Sequence, residues 1–368
     1  MLLRLLAFFA CTGLGVQGAA PLSKEAVISV ERVRDRAGHS AFTDLCAFGN
    51  RIYLAFREGS GHVPGRAGLD GTVRVLVSED GWNWRSAALL EQRGVDLRDP
   101  KLSVTPEGRI MVLMGGSVYE DGRLLRRNAR VSFSDGEGAA FSAPAPVVLD
   151  GAASTGRDWL WRVTWHGDRG YGVVYRTLET DWKLLLVTTE DGIHYTLRAE
   201  LEVPGKANET TLRFLPDGRL AALVRREGGN KRGWVGTSPP PYTEWTWAEL
   251  PARLGGPNFL VLPGGGWLAA SRGGYDTGRY NTTLYRLDAS GAFEPLLTLP
   301  SGGDTGYPGL LVRGDRLLVS YYASHEGRTA VYLAVLRLPV LAAAVRPAAK
   351  KPGGAVPLTG EGDHRTHR

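Results

Sequence analysis

Four arginines in this sequence each end a short apolar segment, and this shared position is its clearest indication of chemistry. They are Arg57, Arg176, Arg225 and Arg272. A guanidinium group stays charged and donates forked hydrogen bonds to planar anions such as carboxylates. Several guanidinium groups gathered at one place would repel each other unless an anion lay between them. The arginines therefore predict a binding site for an acidic ligand.

The segments that carry these arginines belong to a longer repeat. A turn containing Gly, Asn or Asp is followed by an apolar strand six times, with the strands beginning at 51, 109, 170, 219, 267 and 316. A period of roughly 50–60 residues, with strands and no helical pattern, is typical of blades stacked around an axis. We predict an all-β fold, a six-bladed β-propeller of four-stranded antiparallel blades over residues 21–340. Equivalent strand ends would converge on the axis.

A propeller of this kind must close its ring, usually by pairing strands from both termini in one blade. The segment 26–33 alternates in polarity like a strand, and the apolar segment 329–338 is the last strand of the repeat. We predict that these two segments pair, so that deleting residues 21–33 destabilises the whole ring.

Composition agrees with a turn-rich β fold and gives little indication of a charged partner. The chain of 368 residues has 49 glycines and 10 tryptophans, and its formal net charge is +6. Most of this excess lies near the two ends, which leaves about +2 on the body, so nucleic acid is not an expected partner. Without the first 20 residues Cys46 is the only cysteine, which excludes a disulfide and a cysteine zinc motif. We expect no cofactor and no metal.

The two ends differ from the body. Residues 1–20 combine one arginine, an apolar run and small residues, the pattern of a secretory signal peptide that is too short to span a membrane. The protein is therefore expected to be secreted or periplasmic and monomeric, with lipid attachment at Cys11 as an alternative. Residues 341–368 are rich in Ala, Pro, Gly and Lys without periodicity, which predicts a disordered basic tail.

A second repeat predicts structural turns. Residues 78–84 read Ser-Glu-Asp-Gly-Trp-Asn-Trp, residues 189–195 are a looser copy, and residues 134–141 are a degenerate one. In such a turn the aspartate accepts backbone N–H groups, glycine supplies positive φ and the aromatic residue packs into the blade.

Taken together, the blade repeat, these Asp turns and the arginine of the first blade resemble the exo-sialidase (neuraminidase) superfamily, whose fold is an Asp-box six-bladed β-propeller. Two further segments carry the resemblance over most of residues 26–339. Glu209 is followed sixteen residues later by Arg225, and Tyr307 precedes a late strand in the context Tyr-Pro-Gly-Leu.

The resemblance implies a retaining exo-α-sialidase that releases terminal sialic acid from glycans. It implies that Tyr307 is the nucleophile and that Glu209 takes its proton. A tyrosine serves here because the substrate's carboxylate would repel a carboxylate nucleophile.

The resemblance also implies an arginine triad for the substrate carboxylate, made of Arg57, Arg225 and Arg272. Arg226 is an alternative to Arg225, and Arg279 is an alternative to Arg272. Arg176 is a secondary substrate contact, with Trp161 or Arg162 beside it.

The acid/base residue is expected in the loop between the first arginine and the first Asp turn. Asp70 is the aspartate of that loop, and the alternatives are His62 and Asp99. Asp99 is more readily assigned to substrate binding or to bracing the second blade.

The sequence departs from the family pattern directly after Arg57, where Glu58 follows instead of an apolar residue and proline. Glu58 would orient Arg57 or indicate a different substrate. Residues 325–327, His-Glu-Gly, form a second polar cluster expected near the mouth or in a polar loop. Two further functions stay open: a propeller glycosidase acting on another acidic sugar, and a non-catalytic glycan-binding propeller.

Overall fold

The computed structural model confirms a six-bladed β-propeller. It describes residues 24–34, 36–64, 70–151, 153–179 and 181–346. The predicted signal peptide and residues 347–368 of the predicted tail lie outside the described residues.

The blades follow one another along the chain, and in the first five the four main strands run outward from the axis in chain order, whereas in blade 6 the first strand of the chain is the outermost. Blade 1 contains β2 His39–Phe48, β3 Arg51–Gly59, β4 Thr72–Ser78 and β5 Arg85–Leu90. Blade 2 contains β6 Asp96–Val104, β7 Ile110–Glu120, β8 Arg123–Phe133 and β9 Ala145–Pro146. Blade 3 contains β11 Asp158–His166, β12 Arg169–Leu178, β13 Asp181–Thr189 and β14 His194–Glu200.

The second half of the ring repeats the pattern. Blade 4 contains β15 Ala207–Phe214, β16 Leu220–Arg226, β17 Arg232–Ser238 and β18 Thr246–Arg253. Blade 5 contains β19 Asn258–Val261, β20 Trp267–Gly273, β21 Asn281–Leu287 and β22 Phe293–Leu299. Blade 6 contains β23 Gly306–Arg313, β24 Arg316–Ala323, β25 Ala330–Arg337 and the N-terminal β1 Val27–Arg34.

The predicted closure of the ring is confirmed in blade 6. Strand β1 pairs antiparallel with β25, with Val30 opposite Ala334 and Arg32 opposite Tyr332. Blade 3 departs from four strands, because the two-residue strand β10 (Val148–Leu149) pairs in parallel with β14 at the outer edge.

The core consists of apolar layers between neighbouring blades. Between blades 4 and 5, for example, Leu223 and Val235 belong to the same buried cluster as Phe259 and Ala269. Apolar side chains that alternate along the middle strands make this burial possible on both faces of a blade. Each blade is therefore stabilised by two neighbours, and the ring holds the inner strands rigidly around the axis.

A short helix follows the last strand. It is α1 (Leu338–Ala344), and Leu341 and Val345 are buried against blade 6. The boundary predicted at residue 340 thus falls inside an ordered segment that extends to 346. No helix of the described residues is long and apolar enough to cross a membrane.

The Asp turns have the predicted structural role. Asp80 Oδ1 accepts hydrogen bonds from the N–H groups of Trp82 and Asn83, both at 2.8 Å, and the Trp84 indole donates to the Gly81 carbonyl. These backbone donors, first that of Asn83 and then that of Trp82, lower the pKa of Asp80. The turn at Asp191 has the same geometry, with N–H groups of Ile193 and His194 as donors.

Candidate active site

The inner strands of five blades share an irregularity near their first residues, where pairing with the second strand skips two positions. The skipped positions are 42–43, 99–100, 161–162, 208–209 and 307–308. Phe42, Asp99 and Tyr307 have left-handed backbones there, with φ of 61°, 50° and 52°. A non-glycine residue in this region costs on the order of 1–3 kcal/mol, and such residues concentrate at functional sites.

These irregularities bring side chains of different blades together near the axis. The Tyr307 ring lies 5.1 Å from the Phe42 ring and 5.9 Å from the Trp161 ring, measured between centroids. We call the group formed by Tyr307, Glu209, Arg225 and Arg272 the tyrosine cluster.

Tyr307 and Glu209 form the centre of this cluster. The Tyr307 hydroxyl donates a hydrogen bond of 2.7 Å to Glu209 Oε1. Glu209 Oε2 accepts from the Gly256 N–H at 2.9 Å and from Arg225 Nη1 at 2.7 Å. Arg225 Nη1 also donates to the Tyr307 hydroxyl at 3.0 Å. One carboxylate thus accepts from a phenol, a guanidinium and a backbone amide.

Gly256 is required where Glu209 and Tyr307 meet. Its φ is +59°, and a Cβ atom on it would lie 2.4 Å from the Tyr307 ring. Only glycine lets the backbone approach the ring closely enough to donate to Glu209.

Electrostatics keep the shared proton on the phenol. Burial raises the pKa of Tyr307 well above its usual value, and the Glu209 charge raises it further. Burial alone would raise the pKa of Glu209 as well, but the Arg225 charge together with the hydrogen bonds from Arg225, Tyr307 and the Gly256 N–H lowers it. At neutral pH the pair is therefore a neutral phenol donating to a carboxylate, the state from which a phenol can be activated by proton transfer.

Arg272 lies on the other side of Tyr307, with its guanidinium carbon 5.8 Å from the ring centroid. Its Nε donates to the Thr305 carbonyl, and its Nη2 donates to Asp304 Oδ1 at 3.1 Å and to the Tyr322 hydroxyl at 2.9 Å. These bonds hold the guanidinium beside the tyrosine.

The structure distinguishes Arg225 from Arg226, and Arg272 from Arg279. Arg226 donates to the Arg232 carbonyl and to Glu249, away from the cluster, and Arg279 is exposed. Arg225 and Arg272 are the members of each pair that lie beside Tyr307.

Arg57 is not brought to the tyrosine cluster. Its side chain is fully buried, its Nε and Nη2 donate to Asp96 Oδ1 at 2.9 and 2.7 Å, and its Nη1 donates to the Gly61 carbonyl. All three nitrogens are used within the protein, so no donor faces a ligand. Glu58 does not orient Arg57, because its carboxylate pairs with Arg34 and Arg74.

Arg176 likewise pairs within its own blade, with Asp158 and Asp181. Asp99 is buried near the cluster, where Arg98 Nε donates to Oδ2 at 3.1 Å while Oδ1 has no hydrogen-bond partner. Asp70 is exposed, and among the described residues no hydrogen bond or ion pair joins it to the tyrosine cluster. The segment between His62 and Asp70 includes residues 65–69, which lie outside the described residues.

Sequence reasoning missed Lys101, a third cation near Tyr307. Its Nζ lies 4.4 Å from the Trp161 ring centroid and 6.0 Å from that of Tyr307. Burial, and after it the Arg162 charge, lowers the pKa of Lys101 to about 8. Its position two residues after Asp99, on the same inner strand, was the available signal.

Sequence reasoning named His62 as an alternative acid/base residue but missed Asp304 and His39 beside it. His39, His62 and Asp304 are a group of the described residues whose ligand atoms, all within 4.8 Å of one another, could hold a metal ion. His325 and Glu326 form no part of this group; Glu326 accepts from the Tyr332 hydroxyl and pairs with Arg32.

Surface clefts also occur at the other end of the propeller. One of about 510 Å³, lined by Leu215, Asp217, Trp267 and Arg286 among others, is at the hairpin end of blades 4 and 5. It contains none of the tyrosine cluster, which is built at the opposite end of the inner strands.

Comparison with known proteins identifies the architecture. No family model and no curated protein matches the sequence. Among solved structures, a protein of unknown function from Dyadobacter fermentans superposes with a TM-score of 0.73 and 19% identity, over 84% of this chain and 98% of that chain. The Trypanosoma rangeli sialidase superposes with a TM-score of 0.65 and 14% identity, over 84% of this chain and 56% of that chain.

The NanB sialidase of Streptococcus pneumoniae superposes with a TM-score of 0.65 and 10% identity, over 87% of this chain and 72% of that chain. At these identities the likeness concerns the fold. The chain therefore has the six-bladed propeller fold of the sialidases.

Proposed function

We propose that this protein is a retaining glycoside hydrolase that removes an acidic sugar from the end of a glycan, with α-sialosides as the first candidate substrates. The observation that carries the proposal is the 2.7 Å hydrogen bond from the Tyr307 hydroxyl to Glu209, with Arg225 bound to both groups. A buried phenol held on a carboxylate between two guanidinium groups matches what a tyrosine nucleophile needs. Export from the cytoplasm, proposed from residues 1–20, suits a glycan substrate.

The reaction follows from the order of the hydrogen bonds. Glu209 takes the phenol proton as the Tyr307 oxygen bonds to the anomeric carbon, and the bond to the leaving oxygen breaks while an acid protonates that oxygen. Water then attacks the anomeric carbon of the glycosyl-tyrosine and gives a proton to the conjugate base of that acid. The bond from this carbon to the Tyr307 oxygen breaks, Glu209 returns the proton to the phenolate, and the sugar leaves with retained configuration.

The two guanidinium groups beside Tyr307 supply the substrate's anchor. Arg225 and Arg272 approach the ring from different blades. Arg225 also pairs with Glu227, whereas Arg272 Nη1 has no hydrogen bond among the described residues. A sugar carboxylate placed between them would receive charge-assisted hydrogen bonds, which are stronger than neutral ones. This anchor also places the anomeric carbon, adjacent to that carboxylate, above the phenol oxygen.

One observation favours a second candidate, a glycosidase for an acidic sugar other than sialic acid. The first-blade arginine expected in the carboxylate clamp is fully buried on Asp96. Phe42 is the blade 1 residue that contacts Tyr307 instead. A clamp of two arginines with an apolar third side fits a smaller or differently substituted acid.

Turnover assays distinguish these candidates. Purified protein is assayed with a fluorogenic α-sialoside and a panel of aryl uronides, beside the variants Tyr307→Phe and Tyr195→Phe. Tyr195 also loses a buried hydroxyl, which donates to the Gly192 carbonyl in an Asp turn far from the cluster. We expect Tyr307→Phe to lose roughly 10³-fold or more of kcat/KM and Tyr195→Phe to keep it.

Unchanged hydrolysis in Tyr307→Phe would overturn the tyrosine mechanism. Hydrolysis of uronides but not of the sialoside would favour the second candidate. Binding of an acidic sugar without any hydrolysis would identify a glycan-binding propeller.

A further inference from the structure

The proposed reaction needs a group that protonates the leaving oxygen, and the buried carboxylates near the axis are already paired with guanidinium groups. These pairs are Asp44 with Arg162, Asp96 with Arg57 and Asp99 with Arg98. A carboxylate that left such a pair to carry a proton would leave a buried charge unpaired, which is costly. The candidates that remain are exposed groups of the loop after β3. Among the described residues no hydrogen bond or ion pair joins Asp70 to the tyrosine cluster, whereas His62 is linked to it through Asp304 and Phe42.

Two histidines contact Asp304, the carboxylate to which Arg272 also donates. His62 Nδ1 lies 2.9 Å and His39 Nε2 lies 3.0 Å from Asp304 Oδ2. The other carboxylate oxygen, Oδ1, accepts from Arg272 and from the Tyr322 hydroxyl. Burial would raise the pKa of Asp304, but the contacts with His39, His62 and the Tyr322 hydroxyl together lower it. The carboxylate is thus ionised and fixed on both oxygens.

The two histidines differ in access. The His39 side chain is 7% exposed and that of His62 is 51% exposed. Burial lowers the pKa of His39, which favours its neutral form. His62 keeps its Nε2 without a hydrogen-bond partner among the described residues, on an accessible ring. Only His62 can therefore present a nitrogen to a substrate.

Two contacts link His62 to the tyrosine cluster. The Phe42 ring packs edge to face against both the His62 ring and the Tyr307 ring, with centroid distances of 5.1 Å to each. Arg272 donates to Asp304, and its guanidinium carbon lies 5.8 Å from the Tyr307 ring centroid. A sugar bound over Tyr307 and beside Phe42 would therefore extend toward His62.

We propose that His62 is the general acid and base of the hydrolase, and that Asp304 is the positioning residue that holds its ring. This inference rests on the proposed function. His62 Nε2–H donates its proton to the leaving oxygen as Tyr307 bonds to the anomeric carbon. The neutral Nε2 then takes a proton from the attacking water, while Nδ1–H stays bonded to Asp304, as in other His–Asp pairs.

The test compares His62→Gln with wild type on two substrates of the same acidic sugar. One carries an activated aryl leaving group and the other an alkyl alcohol or a sugar. An aryl oxide leaves without a proton, whereas an alkoxide needs one. We expect kcat/KM to fall roughly 10²–10⁴-fold for the alkyl glycoside and much less for the aryl glycoside. Azide should accelerate the variant on the aryl glycoside by replacing the water that His62 no longer activates.

His194→Gln is a matched control. His194 Nδ1 also pairs with an aspartate, Asp191 Oδ2 at 2.7 Å, but in an exposed turn of blade 3. We expect this variant to match wild type on both substrates. Thermal unfolding of both variants shows whether either is folded less stably.

The outcomes separate this proposal from the proposed function. A wild type without turnover would overturn both, and equal losses on the two substrates in a folded His62→Gln would overturn only the role of His62. Activity that depends on a stoichiometric divalent metal, lost on chelation and restored on its addition, would identify His39, His62 and Asp304 as metal ligands and overturn it too.

Discussion

Two arginine–aspartate pairs occupy the same place in two parts of the ring. Arg57 of blade 1 binds Asp96 of blade 2, and Arg272 of blade 5 binds Asp304 of blade 6, each arginine from the end of a second strand. Each aspartate lies three residues before the left-handed residue of its blade. The repeat thus places the same ion pair at two blade boundaries.

The surroundings make the two pairs different. Arg57 and Asp96 are fully buried, and Arg57 uses every nitrogen within the protein. The side chains of Arg272 and Asp304 are 15% and 29% exposed, and Asp304 has a second oxygen that faces two histidines. The Arg57–Asp96 pair is sealed inside a blade boundary, whereas the Arg272–Asp304 pair is accessible to a ligand. Position in the repeat therefore predicts that the arginine and aspartate meet, and the burial of the pair decides whether a ligand can reach them.

The largest effect on stability is expected when the buried Arg57–Asp96 pair is broken. Arg57→Met removes both hydrogen bonds of its guanidinium to the buried Asp96 carboxylate and leaves Arg98, at 3.7 Å, as its remaining cation, so we expect the free energy of unfolding to fall by about 3 kcal/mol. Urea unfolding measures this. The double variant Arg57→Met with Asp96→Leu should recover much of the loss, and a single variant as stable as wild type would contradict the distinction between the pairs.

Breaking the Arg272–Asp304 pair should lower activity rather than stability. Arg272→Met removes charge-assisted donors from the carboxylate clamp, and we expect kcat/KM to fall by roughly 10- to 100-fold, since a hydrogen bond to a charged group contributes about 1.5–3 kcal/mol. Steady-state kinetics on the best acidic substrate measures it. The distinction between the pairs would fail if Arg272→Met unfolded as readily as Arg57→Met.

Lys101, on the inner strand that begins with Asp96, gives a test by pH. Its pKa of about 8 in the folded protein is below that of an unfolded lysine, because burial and then Arg162 disfavour its charge. The unfolded chain holds the proton longer, so wild-type stability should rise between about pH 8 and 10.5.

Lys101→Met should lack this component. Between pH 7 and 9.5 the free energy of unfolding of wild type should therefore rise by on the order of 2 kcal/mol relative to that of Lys101→Met, measured by urea unfolding at both values. A constant difference would show that Lys101 is not desolvated.

The smallest effect on activity is expected at Glu58, the residue after Arg57. Its carboxylate is 12% exposed and pairs with Arg34 and Arg74, and no hydrogen bond or ion pair among the described residues joins it to Arg57 or Tyr307. Glu58→Gln should lower stability by about 1.5–3 kcal/mol and leave kcat/KM unchanged. A large loss of activity would mean that Glu58 reaches the substrate after all.

The repeat and the turn chemistry were enough to predict the fold. Strand starts at 51, 109, 170, 219, 267 and 316 match the second strands of the blades within a residue, and the pairing of β1 with β25 is as predicted. The spacing from Glu209 to Arg225 also led to residues that the structure brings together with Tyr307.

The sequence could not distinguish Arg57 from Arg272, because both end equivalent strands and only the packing of the next blade decides which is covered. The contact of His62 with Asp304 joins residues 242 positions apart. No local pattern encodes such a contact. The segment Ala-Phe-Thr likewise contains no residue type that would predict the left-handed backbone of Phe42, which brings its ring to Tyr307.

The closure of blade 6 has a consequence for the order in which the tyrosine cluster is assembled. The blade that carries Tyr307 and Asp304 is the one whose sheet combines the first strand of the chain with the last three. During synthesis β1 emerges first, and its partner β25 emerges after all the other strands. The tyrosine cluster therefore gains its last blade only when the ring closes, and a chain without β1 or β25 would lose this cluster together with its ring.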